Sequence, residues 1–132
     1  MTSPVQTLDD LIALKTLLAD PEHWTRSAYY RKSTPEKPAC YCVVGAIGKV
    51  IHFDRYNHYI TYEPRARAII KAMKFDYPSH LIAWNDSEVT THKTLMTRIE
   101  RAIKELRLLI QPDLPTTGRK FGSKDKKPRK KK

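Results

Sequence analysis

The segment Ala39-Cys40-Tyr41-Cys42-Val43-Val44-Gly45-Ala46-Ile47-Gly48-Lys49-Val50-Ile51-His52-Phe53 decides the fold. Its β-branched residues would suit a strand. Its length and its Gly45-Ala46-Ile47-Gly48 centre suit a buried helix whose glycines let a neighbouring backbone come close. The helical reading makes the protein all-α. It also makes Gly45 a position where a larger side chain would overpack.

Upstream, Ser33-Thr34-Pro35-Glu36-Lys37-Pro38 is a loop by composition, and Trp24 with Tyr29-Tyr30 belongs to a less regular stretch. A first helix is expected from a Thr7 cap, with Asp9 and Asp10 facing its positive end. Leu8, Leu11, Ile12 and Leu18 form its stripe, widened by Leu14 and Leu17, and Asp20-Pro21 stops it near Ala19. Downstream, residues 54–62 read as a polar, aromatic loop, with room for a short strand pair near residues 51–61. Glu63-Pro64 opens a helix that buries Ala66, Ile69, Ile70 and Met73, and Tyr77-Pro78 ends it. The last helix is the clearest: Thr91 caps it, and Leu95, Met96, Ile99, Ala102, Ile103, Leu106 and Ile110 share one face. About four helices around one core result, in a helical domain over residues 1–112.

Composition limits what such a domain can be. With 132 residues and 40% apolar content there is material for one modest core. No apolar run approaches a bilayer span, and no basic start followed by an apolar block marks a secretory signal. Cys40 and Cys42 are too close to staple separate parts of a fold, which suits a reducing, cytoplasmic compartment. The net charge of +11 is uneven. Residues 113–132 carry nine cations (Arg119, Lys120, Lys124, Lys126, Lys127, Arg129, Lys130, Lys131 and Lys132) against Asp113 and Asp125, a net +7. Such a segment lacks the apolar residues to pack, so a disordered basic tail that engages polyanions is expected. In a eukaryotic source the same run would read as a nuclear address.

Two patches, Cys40-Tyr41-Cys42-Val43-Val44-Gly45-Ala46-Ile47 and Ile82-Ala83-Trp84-Asn85-Asp86 followed by Thr91-His92, together with Trp24, carry a resemblance. They resemble a family of small bacterial and bacteriophage domains of unknown function that combines a Cys-x-x-Gly-Ala helix with a Trp-Asn-Asp…Thr helix start. The likeness spans residues 8–106. One departure is local: the third helical position after Thr91 is Thr94, where the family has the Glu of a capping box. The resemblance implies a mostly helical fold in a bacterial or phage setting, and no activity.

Several residues could carry chemistry. Cys40 or Cys42 at a helix start, with His92 as base and Asn85 or Asp86 orienting it, would supply a cysteine nucleophile. The plainer reading makes Cys42 a core residue, lets Asn85 and Asp86 close a turn, and leaves His92 exposed in a first helical turn. The Cys42, His92 and Asp86 set remains as an alternative, that of a small cysteine-dependent enzyme. Cys40, Cys42, His52, His58, His80 and His92 show no metal-ligand spacing, so no metal and no cofactor are expected. The Gly45–Gly48 pattern lacks the Gly-Lys-Ser/Thr ending of a phosphate loop. Nucleic acid is the favoured partner. Tyr29-Tyr30-Arg31-Lys32 interleaves rings with cations, and Arg65, Arg67, Lys71 and Lys74 line a polar side of the third helix. With no sequence-reading motif, binding should be phosphate contact by a non-enzymatic accessory protein that also docks on a protein partner.

Overall fold

The computed structural model describes residues 2–53 and 55–111. Among these residues five α-helices carry the fold: α1 (Pro4–Leu18), α2 (Val43–Val50), α3 (Pro64–Ala72), α4 (Pro78–Asp86) and α5 (His92–Ile110). Two 3-10 turns, Pro21–His23 and His58–Tyr62, and a two-residue antiparallel ladder complete it. In the ladder, β1 (Tyr30–Arg31) pairs with β2 (Cys40–Tyr41) in the register Tyr30 to Tyr41 and Arg31 to Cys40. The protein is mostly α, as its sequence indicates.

Periodicity explains the packing. In α1, Leu11, Leu14 and Leu18 are fully buried, and they meet α5, α2 and α3. Leu95, Ile99, Ala102 and Ile103 of α5 recur at three- and four-residue spacing and face them. Thr91 caps α5 as expected, its hydroxyl accepting from Thr94 N at 3.1 Å. The α2 helix buries Val43, Val44, Ala46 and Ile47 and leaves Lys49 exposed in its last turn. So apolar a helix belongs inside, and this one lies against α1, α4 and α3.

Four local expectations need correction. The first helix starts at Pro4, capped by Ser3, whose side chain accepts from Gln6 N at 3.1 Å. Thr7 is inside that helix and buried, and Ile12 is exposed. The segment 39–53 is both elements in succession, a two-residue strand that turns into a helix at Cys42. The strand pair therefore lies at Tyr30–Arg31 and Cys40–Tyr41, and residues 58–62 near the expected pair form a 3-10 turn. Finally, Tyr77-Pro78 does not end the helix that Glu63-Pro64 opens, which stops at Ala72 where the chain turns left-handed at Lys74. Pro78 is instead the first residue of α4, because proline's missing amide is no loss at that position.

Candidate functional site

Three of the residues named for catalysis, Cys42, Asn85 and Asp86, converge with Trp24 at one place, where α4 ends against the start of α2. Asn85 is 1% exposed and sits at its centre. Its Oδ1 accepts from Trp24 Nε1 at 2.8 Å and from Val43 N at 3.0 Å. Its Nδ2 donates to Thr25 O at 3.2 Å and to Asp86 Oδ1 at 3.0 Å. Every hydrogen-bonding position of the amide is used. Asp86 Oδ1 also takes Ser27 N at 2.8 Å, and Ser27 adopts the left-handed conformation at φ 64°. Arg26 lies 4.8 Å over the Trp24 ring and donates from Nε to Ser87 O at 3.2 Å and from Nη2 to Thr90 O. The segment 24–27 is thus pinned to the end of α4. Val43 N is one of the amides that a helix start leaves without a partner, so Asn85 also caps α2.

Cys42 completes that cap. Its thiol is buried and its Sγ accepts from Gly45 N at 3.3 Å. A small cleft of about 160 Å³ adjoins it, lined by Ser27, Tyr29, Cys42, Ile82, Asn85 and Asp86 among others. Burial pushes the Cys42 thiol up, and the Asp86 carboxylate adds to that, against the amides at the helix start. Burial likewise raises the Tyr29 phenol, with Cys42 and Asp86 behind it. A nucleophilic thiol needs the opposite shift and an imidazole beside it. The structure brings Cys42, Asn85 and Asp86 together and commits His92 elsewhere. His92 is half-buried, its Nε2 donating to Leu18 O at 2.7 Å and its ring 6.2 Å from that of Trp24. His23 Nδ1 reaches Leu17 O at 3.2 Å, so two imidazoles close the last carbonyls of α1. The expectation of an exposed His92 is corrected accordingly.

A protonated, buried Cys42 has a chemical signature. At neutral pH iodoacetamide should modify Cys42 roughly tenfold or more slowly in the folded chain than in denaturant, with the partly exposed Cys40 reacting first. Mass spectrometry of the alkylated peptide separates the two sites. Fast folded-state labelling of Cys42 would contradict the cap.

The second constellation is cationic. Of the four residues expected on one side of α3, Arg65 turns instead onto α1. There its Nε and Nη2 hold Asp10 Oδ2 at 3.1 Å and Oδ1 at 2.7 Å. Asp10 is 3% exposed, so this is a buried carboxylate paired with a guanidinium, and the pairing raises Arg65 further. Arg67, Lys71 and Lys74 stay together on an open groove of about 700 Å³ that continues through Phe75, Asp76 and Tyr77. Lys74 Nζ pairs with Glu105 Oε1 at 3.0 Å, which ties the later turns of α5 to the end of α3. Among the described residues, Arg67 and Lys71 form no ion pair.

The other residues named for nucleic acid are placed differently. Tyr30 spends a ring face on Tyr56, stacked at 4.6 Å, and contacts Tyr41 at 5.3 Å. Arg31 and Lys32 are exposed, and Arg31 borders a second cleft beside Glu22 and Glu36. The nine tail cations lie outside the described residues. Sequence reasoning missed Tyr77, whose exposed ring follows the Lys71 and Lys74 cations by only a few residues. Among the described residues no group of three or more metal-ligating side chains gathers. Among those residues, too, no helix is long and apolar enough to cross a membrane.

Among the described residues, five helices, an amide-centred clamp and a cationic groove define a small helical domain. The chain belongs to the Family of unknown function (DUF6197), whose pattern matches residues 2–105. The match includes both the Cys42-Val43-Val44-Gly45-Ala46 helix and the Trp84-Asn85-Asp86 end of α4, and stops before the tail. No curated protein and no solved structure matches it.

Proposed function

We propose that this is a non-enzymatic accessory protein that holds nucleic acid by its phosphates, through the basic tail and the groove of α3. The observation that carries the reading is Arg67 and Lys71, one helical turn apart and without acidic partners among the described residues, on an open groove. The +7 segment follows α5, the helix that Lys74 and Glu105 tie to that groove. Lysines and arginines at this density release counterions from a polyanion, which supplies sequence-independent affinity. A bacterial or phage source and a cytoplasmic location go with this reading.

The cysteine-enzyme alternative draws no support from the geometry. A raised Cys42 thiol and a His92 imidazole held on Leu18 O do not make a nucleophile and its base.

Truncation after Leu114 tests the proposal. The shortened chain should lose most of its affinity for DNA or RNA at low salt, measured by fluorescence anisotropy. Equal affinity of the two chains would overturn the tail's part in it.

A further inference from the structure

The groove that Arg67 and Lys71 border has a second wall of different chemistry. At Lys74 the backbone turns left-handed, φ 72°, and the next three residues lead into α4. Two rings lie on that turn. Phe75 is occupied, with the Arg98 guanidinium 4.5 Å over it and the Trp84 ring 5.4 Å away. Tyr77 is 62% exposed, and among the described residues its one ring contact is with His80, at 5.2 Å and an interplanar angle of 87°. An edge-to-face contact leaves at least one ring face open. A large exposed ring beside a cationic row, with no core to fill, is the composition of a stacking platform.

We infer that this groove takes an unpaired nucleic-acid strand, with Arg67 and Lys71 on its phosphates and the Tyr77 ring stacked on a base. The inference rests on the phosphate-binding reading above and adds what the groove selects. Arg67 and Lys71 are about 6 Å apart along the helix axis, so they follow a backbone laid parallel to α3. Asp76 repels phosphate on the same stretch of chain as Tyr77, which keeps the backbone to the α3 wall and leaves the ring to a base. A duplex hides its base faces in its own stack and can offer this groove phosphates alone. A single strand offers both. DNA and RNA strands share this chemistry.

The test uses the full chain with a labelled oligothymidylate, an oligouridylate and a duplex, each of about 20 nucleotides. Both single strands should bind about tenfold or more tighter than the duplex, because stacking adds to contacts that the tail makes with all three. The tighter of the two single strands identifies the natural source, and either supports the inference. Tyr77→Ala should remove most of the preference without changing the melting temperature, and Tyr77→Phe should keep it. Equal binding of strand and duplex, or a Tyr77→Ala protein that discriminates like its parent, overturns the inference while leaving phosphate binding intact. Failure to bind any of the three overturns both.

Discussion

Gly45→Ala is expected to destabilise the domain severely. A Cβ at that position would stand 1.7 Å from the Tyr29 carbonyl oxygen and 2.6 Å from its carbon. Carbon contacts are comfortable at about 3.5–4.0 Å, so the overlap is severe. A side-chain neighbour could rotate away, but Tyr29 presents backbone. That backbone is held on both sides, by the Ser27 bond to Asp86 and by the Tyr30 to Tyr41 pairing. Overpacking normally costs about 1–3 kcal/mol, and here the upper end or more applies. Against a total stability of about 5–15 kcal/mol, that should lower the melting temperature by roughly 10 °C or more. Thermal denaturation followed by circular dichroism measures it. A variant that melts with its parent would show that the 24–30 segment does not cross α2 at this glycine.

The second large effect is expected at Asn85. Asn85→Ala leaves Trp24 Nε1, Val43 N and Thr25 O without their partner, the Val43 amide buried and the other two partly so. An unsatisfied buried group costs about 1–3 kcal/mol, and water entering through the adjoining cleft offsets part of it. The sum should be about 3–5 kcal/mol, read from urea denaturation. Asn85→Asp keeps two acceptors but loses both donors and sets a second carboxylate beside Asp86, so it should fall nearer the alanine variant than the parent. If Asn85 served chemistry alone, both variants would keep the parent's stability.

Such clamps explain what could be read from the sequence and what could not. The α5 helix was legible because its apolar residues hold a helical period and Thr91 marks its start. Gly45 was legible because a glycine inside an apolar helix points to close approach, although nothing local identified Tyr29 as the neighbour. Helix ends were harder. Helices α2 and α3 both close with His52 or Lys74 in the left-handed conformation, where glycine usually announces the stop. In α3, Lys74 N bonds Lys71 O and Phe75 N bonds Ile70 O, and His52 and Phe53 repeat the pattern after α2. Pro78 misleads for a related reason, since a proline reads as a stop and here it begins α4 after α3 has already closed at Ala72. The deepest misses are long-range. Asp10 looked like a first-turn acid and instead meets Arg65, and Asn85 looked like a turn former and instead takes Trp24. No periodicity or spacing encodes such pairs, because the fold alone makes them neighbours.

The same distinction separates the Asn85 clamp from the cationic surface. Cys42, Asn85 and Asp86 are spent on one another and on the backbone around them, whereas Arg67, Lys71 and Tyr77 face outward. Salt dependence tests this account most directly, through the affinity of the full chain for a labelled oligonucleotide as ionic strength rises. With about six cations on phosphates, affinity should fall roughly 10³-fold between about 50 and about 200 mM salt, and Arg67→Glu with Lys71→Glu should flatten the slope by about two contacts. An affinity indifferent to salt, or a double variant with the parent's slope, would contradict it.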